Sequence, residues 1–208
     1  VRHNQSILYK YNMKRSRRTF DEKSFMRVLA FAASNSRRSI NQRLVRHAAD
    51  VFRSEFVPTA EIELLDLNDY DLPLYSIDRE QDGGVPARAQ QFYDKIGAVD
   101  AILVSYAEHN GSYTAAFKNI FDWASRIDMK VFQSKPVVIL SASIGKHGGA
   151  GVMRTALDSA PYFGADIRGH LSVGPFSAKF ENGHLTDDAL AKALRDALSN
   201  LPHTSPQS

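Results

Sequence analysis

The stretch Ala33-Ser34-Asn35-Ser36-Arg37-Arg38-Ser39-Ile40-Asn41 gathers three serines, two asparagines and two arginines between an apolar run and the start of a periodic helix. The first N–H groups of a helix have no partner within it, and the helix dipole is positive at that end. A loop handing a strand over to a helix is therefore a ready anion site. Ser34, Ser36 and Ser39 can add hydroxyl donors, and Arg37 or Arg38 can add charge. The stretch lacks the Gly-Lys-Ser/Thr ending of a triphosphate loop, and it holds none of the glycines of a dinucleotide-binding turn. Hydroxyls without a lysine suit a monophosphate better than a magnesium-bound triphosphate. The competing reading is a serine-rich capped turn, and this stretch alone does not separate the two.

The flanking elements decide where such a loop sits. Short apolar runs at 26–32, 61–67, 100–106, 135–142 and 167–173 read as strands. Between them, apolar residues recur at helical spacing over 39–52, 87–99, 112–127, 151–163 and 186–201. Residues 68–86, punctuated by Pro73, Gly83, Gly84 and Pro86, read as a long irregular segment anchored by Leu72 and Leu74. Apolar strands alternating with amphipathic helices predict an α/β fold, a five-stranded parallel sheet covered by helices on both faces. Right-handed crossovers make it doubly wound. Ligands of such sheets bind beyond the carboxyl ends of the strands, at the topological switch point. That rule selects three loops: 33–41, 107–112 and the glycine-rich 143–149, for which a tight turn is the competing reading.

Composition narrows the chemistry. The 208 residues contain no cysteine, which excludes disulfides, thiolate metal sites and cysteine nucleophiles. The seven histidines show no metal-ligand spacing, so no metal is expected. No run of about 18 apolar residues exists to cross a membrane. Residues 1–25 hold seven lysines and arginines against two acids, a net +5 within a chain whose formal total is +3; the remainder carries −2. This basic extension reads as disordered or targeting sequence rather than a nucleic-acid or membrane arm, being short and without a strong amphipathic period. The domain is expected over 26–201, with a frayed tail at 202–208. A cytoplasmic location is expected, and organelle targeting by the extension stays open.

The segment Ser34-Asn35-Ser36-x-x-Ser39-Ile40-Asn41-x-x-Leu44 resembles the phosphate loop of the NAD(P)H-dependent FMN reductase family, flavodoxin-like proteins that include quinone, azo-dye and chromate reductases. Tyr106-Ala107-Glu108-His109-Asn110-Gly111-Ser112 is similar to the family's Pro-Glu-Tyr-Asn-Gly-Ser segment. The likeness continues through Phe117-Lys118-Asn119-x-x-Asp122-Trp123-Ala124-Ser125-Arg126. The Asp71–Tyr75 stretch is similar to the family's Asp-Leu-Pro-Leu-Tyr. Ala107 stands in place of the usual proline, His109 in place of tyrosine, and Ser36 where many members carry arginine, with Arg37 next to it.

The resemblance implies an FMN site. Ser34, Ser36, Ser39 and Asn41 would hold the phosphate, with Arg37 and Ile40 beside them. Ala107, Glu108, His109, Asn110 and Gly111 would meet the flavin ring, largely through backbone groups. Ser141, Ser143 and Gly145 would line its other side. His109 is expected to be a packing or surface ring, with a proton-donor role as the sharper alternative. Trp123 is expected in the core or at a subunit contact, and Tyr75 is a candidate to cover a neighbouring subunit's flavin. The implied activity is hydride transfer from NADPH or NADH through FMN to a quinone, free flavin or similar acceptor, in a ping-pong cycle, by a dimer or tetramer. Two rivals stand beside it. One is a flavodoxin-type electron carrier, disfavoured because such carriers are strongly acidic and this body is only −2. The other is a nucleic-acid-binding or regulatory protein using the basic arm.

Overall fold

The computed structural model describes residues 25–202. The expectations for the basic extension and the tail fall on residues outside that range, apart from Phe25 and Pro202.

Three strands form the middle of the molecule: β1 (Arg27–Ala33), β3 (Ala101–Ala107) and β4 (Pro136–Ala142). Their residues are almost all buried, as expected of runs apolar on both faces. The edges are β2 (Glu61–Leu65) and β5 (Asp166–Val173), which keep polar residues at exposed positions. All neighbours pair in parallel, in the order β2-β1-β3-β4-β5. This is the flavodoxin-like order, and it puts the switch point between β1 and β3.

The period of two along each strand divides the core. Val28, Ala30, Leu103, Val138 and Leu140 face α1 (Ile40–Val51) and α7 (Asp188–Leu198). Leu29, Phe31, Ile102, Val104 and Ile139 face α3 (Ala87–Gly97), α4 (Ala115–Ala124) and α5 (Ala150–Ser159). A one-residue slip would exchange the two sets, so register and layer are fixed together.

Several local expectations change. The segment 68–86 is not wholly irregular: α2 (Ile77–Gly83) forms within it, capped by the Ser76 hydroxyl, which accepts the Arg79 N–H at 3.3 Å. Leu74 does not anchor it, being 70% exposed. The anchors are polar. Trp123 Nε1 donates to the Pro73 carbonyl at 2.7 Å, and the Asn119 side chain bonds Leu72, Pro73 and Tyr75 backbone groups. After β5 the chain adds a short helix α6 (Phe176–Lys179) and a two-stranded hairpin, β6 (Phe180–Glu181) with β7 (His184–Leu185). Helices α4 and α7 are shorter than the periodicity predicts, because their caps fall inside the apolar pattern, and α5 starts one residue early at Ala150 and stops at Ser159.

Candidate functional site

The three loops beyond the carboxyl ends of β1, β3 and β4 lie together, and buried polar bonds fix their relative positions. Asn41, 2% exposed, reaches across from α1. Its Oδ1 accepts from the Ser105 hydroxyl (2.8 Å) and the Ala142 N–H (2.8 Å), while its Nδ2 donates to the Ala142 carbonyl (3.1 Å). Thr114 performs a similar tie on the other face. Its hydroxyl donates to the Ala33 carbonyl at 2.9 Å and accepts the Phe117 N–H at 3.2 Å, capping α4. Ser105 and Thr114 escaped the sequence reading, although a threonine just before Ala-Ala-Phe is a helix-start signal.

In the β1–α1 loop, Ser39 is the N-cap, accepting the Gln42 N–H at 3.3 Å; its own N–H donates to the Ser36 carbonyl at 3.1 Å. The Ser34 hydroxyl accepts the Ser36 N–H at 3.2 Å. These bonds use the Ser36 and Ser39 N–H groups to brace the loop and leave its hydroxyl donors unspent. Among the described residues, no protein group accepts from the hydroxyls of Ser34, Ser36 and Ser39 or from the N–H groups of Arg38, Ile40 and Asn41. No acidic residue stands between Ala33 and Asn41. Ser36, Arg37 and Arg38 are exposed, whereas Ser34 and Ser39 are buried.

The β3–α4 loop is a tight hairpin turn. The His109 N–H donates to the Ser112 carbonyl (3.0 Å), and the Ser112 N–H donates back (3.1 Å). Asn110 (φ 52°) and Gly111 (φ 79°) both take positive φ, the requirement of a two-residue Asn-Gly hairpin turn. Glu108 turns inward, its carboxylate accepting the Val152 N–H at 2.8 Å in the first turn of α5, where the dipole favours negative charge. Gly151 makes this possible. A Cβ there would lie 2.9 Å from Glu108 Oε2 and 3.0 Å from the Gly111 carbonyl oxygen. Backbone groups of the turn and the exposed His109 ring are what this loop presents outward. Behind it lies Tyr106, whose phenol is driven well above its usual pKa by complete burial and so stays neutral.

The β4–α5 loop differs. Ser141 is fully buried, its hydroxyl donating to the Gly148 carbonyl (2.7 Å) and sharing a bond with Ser172 (2.8 Å). The Ser143 hydroxyl donates to the Gly145 carbonyl at 3.1 Å. Gly148 is buried against the Val173 backbone. Between the segment after β2 and α4 lies a further open cavity of about 510 Å3, bordered by Asn35, Tyr70, Leu72, Ala115 and Asn119. Among the described residues no three His, Asp or Glu side chains gather at metal-binding distance, and no helix is long and apolar enough to cross a membrane.

Residues 26–175 match the family profile of NADPH-dependent FMN reductases. The chain belongs to that family. It is 30% identical over 182 residues to an NAD(P)H-dependent FMN reductase of Pseudomonas aeruginosa, covering 85% of this chain and 93% of that one. It is 38% identical over 127 residues to an NADPH:quinone oxidoreductase of Arabidopsis thaliana, covering 61% of this chain and 63% of the plant protein, less than two thirds of its length. Among solved structures, a flavoenzyme NAD(P)H:(acceptor) oxidoreductase of Paracoccus denitrificans superposes with a TM-score of 0.65 at 24% identity, covering 85% of this chain and 94% of that one. That likeness carries the fold.

In this family member the donor set fits a flavin monophosphate at the β1–α1 loop: hydroxyls and N–H groups, unspent and free of carboxylates, at the mouth of a 12-residue helix. Two of the residues expected at the ligand have side chains engaged within the protein. The Asn41 side chain is bonded to Ser105 and Ala142 at both its oxygen and its nitrogen, and its backbone N–H has no acceptor among the described residues. The Ser141 hydroxyl is bonded to the Gly148 carbonyl and the Ser172 hydroxyl. Trp123 is core, 1% exposed, as expected. Lys118 and Asp122 pair on the surface of α4 at 2.6 Å.

Proposed function

We propose that this protein binds FMN in the β1–α1 loop and oxidises NADPH or NADH, passing the electrons to a quinone, free flavin or similar small acceptor. The observation that carries the reading is the unspent donor set of residues 34–41, tied by Asn41 to Ser105 in β3 and Ala142 at the end of β4, while Thr114, just after the turn at 109–112, bonds the Ala33 carbonyl. Bound flavin would supply the redox chemistry, accepting hydride from the nicotinamide and releasing electrons to the acceptor.

The chain's own residues bind and orient. Ser34, Ser36 and Ser39 donate to phosphate oxygens with the Ile40 and Asn41 N–H groups, and the helix dipole adds to the attraction. Arg37 screens the remaining charge. The backbone of Glu108, His109 and Asn110 meets the donor and acceptor edge of the ring, with Ala107 and Gly111 completing the turn. Ser143 and Gly145 border the opposite side. His109 stands at the surface, where nicotinamide and acceptor come in turn. Leu74 and Ile77, 70% and 59% exposed beside Tyr75, support a homo-oligomer in which this segment closes a neighbour's site. The reading includes a cytoplasmic location and no nucleic-acid partner.

Purified protein should be yellow, or should take up one equivalent of FMN in a fluorescence-quenching titration. Stopped-flow mixing with NADPH should bleach the flavin without a partner reductase. Protein that is colourless and refuses FMN sinks the proposal; flavin that binds but bleaches only with an added reductase makes the protein a carrier. Light scattering that finds only monomers removes the oligomer.

A further inference from the structure

A second cationic feature lies beside the phosphate loop. Ser39, Gln42, Arg43 and Arg46 fall at helical spacing on one face of α1, and with Arg37 and Arg38 they enclose a cleft of about 200 Å3. All four arginines are exposed. Five other arginines of the described chain, Arg27, Arg53, Arg126, Arg168 and Arg195, each pair with a carboxylate. Among the described residues none of the four cleft arginines does. From Met26 onward the chain carries a net −2, so this concentration of unpaired cations runs against its surroundings.

The cleft has a rigid wall. The Arg43 guanidinium lies over the rings of Phe176 and Phe180, 5.3 and 5.0 Å from their centroids, and those two rings stack at 4.6 Å. Stacking holds the planar fork in place while leaving its N–H groups free for an anion. The Phe176 N–H donates to the Ser143 carbonyl at 3.0 Å, so this wall is joined to the β4–α5 loop. The cleft is lined by the end of the β1–α1 loop and the first two turns of α1, and it shares Ser39 with the phosphate loop.

We propose that this arginine cleft receives the 2′-phosphate of NADPH and makes the protein discriminate against NADH. The inference rests on the reading above that a nicotinamide nucleotide is the reductant. A dianionic monoester matches the forked donors of several arginines. A volume of about 200 Å3 suits one phosphate and its ribose rather than a polymer, which would need a longer basic track. The phosphate of FMN is served by N–H groups at the start of α1. Arg43 and Arg46 lie one and two turns farther along.

The test is the double variant R43Q/R46Q of the full chain. Its KM for NADPH should rise at least tenfold, its KM for NADH should stay within twofold, and its FMN content should match the wild type. Adenosine 2′,5′-bisphosphate should inhibit the wild type competitively against NADPH and the variant at least tenfold more weakly, with adenosine 5′-monophosphate weak on both. Equal changes in both KM values, or none, overturn the proposal. So does loss of FMN from the variant, which would give the cleft to the flavin's own phosphate. So does a variant that keeps its NADPH KM but elutes earlier from heparin, which would make the cleft a polyanion surface. If the protein binds no flavin and oxidises neither nucleotide, the functional reading fails by itself, and calorimetric titration with the bisphosphate still judges the cleft.

Discussion

The loops after β1 and β4 have nearly the same ingredients, serines and small residues leading into a helix, yet they handle their hydrogen bonds in opposite ways. The Ser34 and Ser39 hydroxyls accept the Ser36 and Gln42 N–H groups, and among the described residues the Ser36 hydroxyl has no partner, so all three hydroxyl protons remain to be given outward. Ser141 and Ser143 donate to carbonyls of their own loop, at Gly148 and Gly145. The first loop is a binding surface braced from within; the second is mainly a scaffold that holds α5 and the Val173 backbone in place. Composition does not separate them. What separates them is which atoms still lack a partner once the chain has folded.

The sharpest way to break this contrast is to cut the tie beneath both loops. Asn41→Leu strands the Ser105 hydroxyl and both backbone groups of Ala142, each buried loss costing about 1–3 kcal/mol, so a stability loss of at least about 3 kcal/mol is expected in urea unfolding. A variant of wild-type stability with weakened FMN affinity alone would return Asn41 to the role of a direct ligand. Thr114→Val should come next, at about 2 kcal/mol, by removing the α4 cap and leaving the Ala33 carbonyl unpaired. An unchanged unfolding midpoint would dispose of that tie.

The two loops themselves can be set against each other. Ser36→Ala should weaken FMN binding by about 1.5–3 kcal/mol, roughly tenfold or more, with stability held within about 0.5 kcal/mol. Ser141→Ala should do the reverse, lowering stability by about 1–3 kcal/mol while the FMN Kd of the folded protein moves little. If titration shows Ser141→Ala to be the weaker flavin binder of the pair, the division between surface and scaffold is wrong. The smallest effect belongs to the hairpin turn. A Cβ at Gly111 meets no atom, so Gly111→Ala should cost only the positive-φ penalty of about 1 kcal/mol. A larger loss by calorimetry would reveal a contact that the free turn does not make.

Much of the fold was legible beforehand. The strand runs ended within a few residues of the observed ones, because strands buried on both faces must be continuously apolar. The loops of the site followed from the parallel order they imply. The segment 68–86 was harder to read, since its helix α2 buries no residue and therefore leaves no apolar stripe to find. The α6 and β6–β7 module also went unseen, its elements of four and two residues being too short to display a period. Within the site, Ser34 and Ser39 were named from type and place. The inward roles of Asn41, Glu108 and Ser141 were not, because a polar side chain reads alike whether its partner is a ligand or a carbonyl a hundred residues away.

By itself the sequence determined the layers, the strand identities and the three loops that had to meet, since each follows from apolar periodicity and chain connectivity. Only the tertiary structure decided which of the polar groups in those loops remain available. Hydrogen-bond satisfaction is settled by distances between residues remote in the chain: Asn41 to Ala142, Thr114 to Ala33, Glu108 to Val152. No local pattern encodes those distances, and they exist only after the two cores have packed.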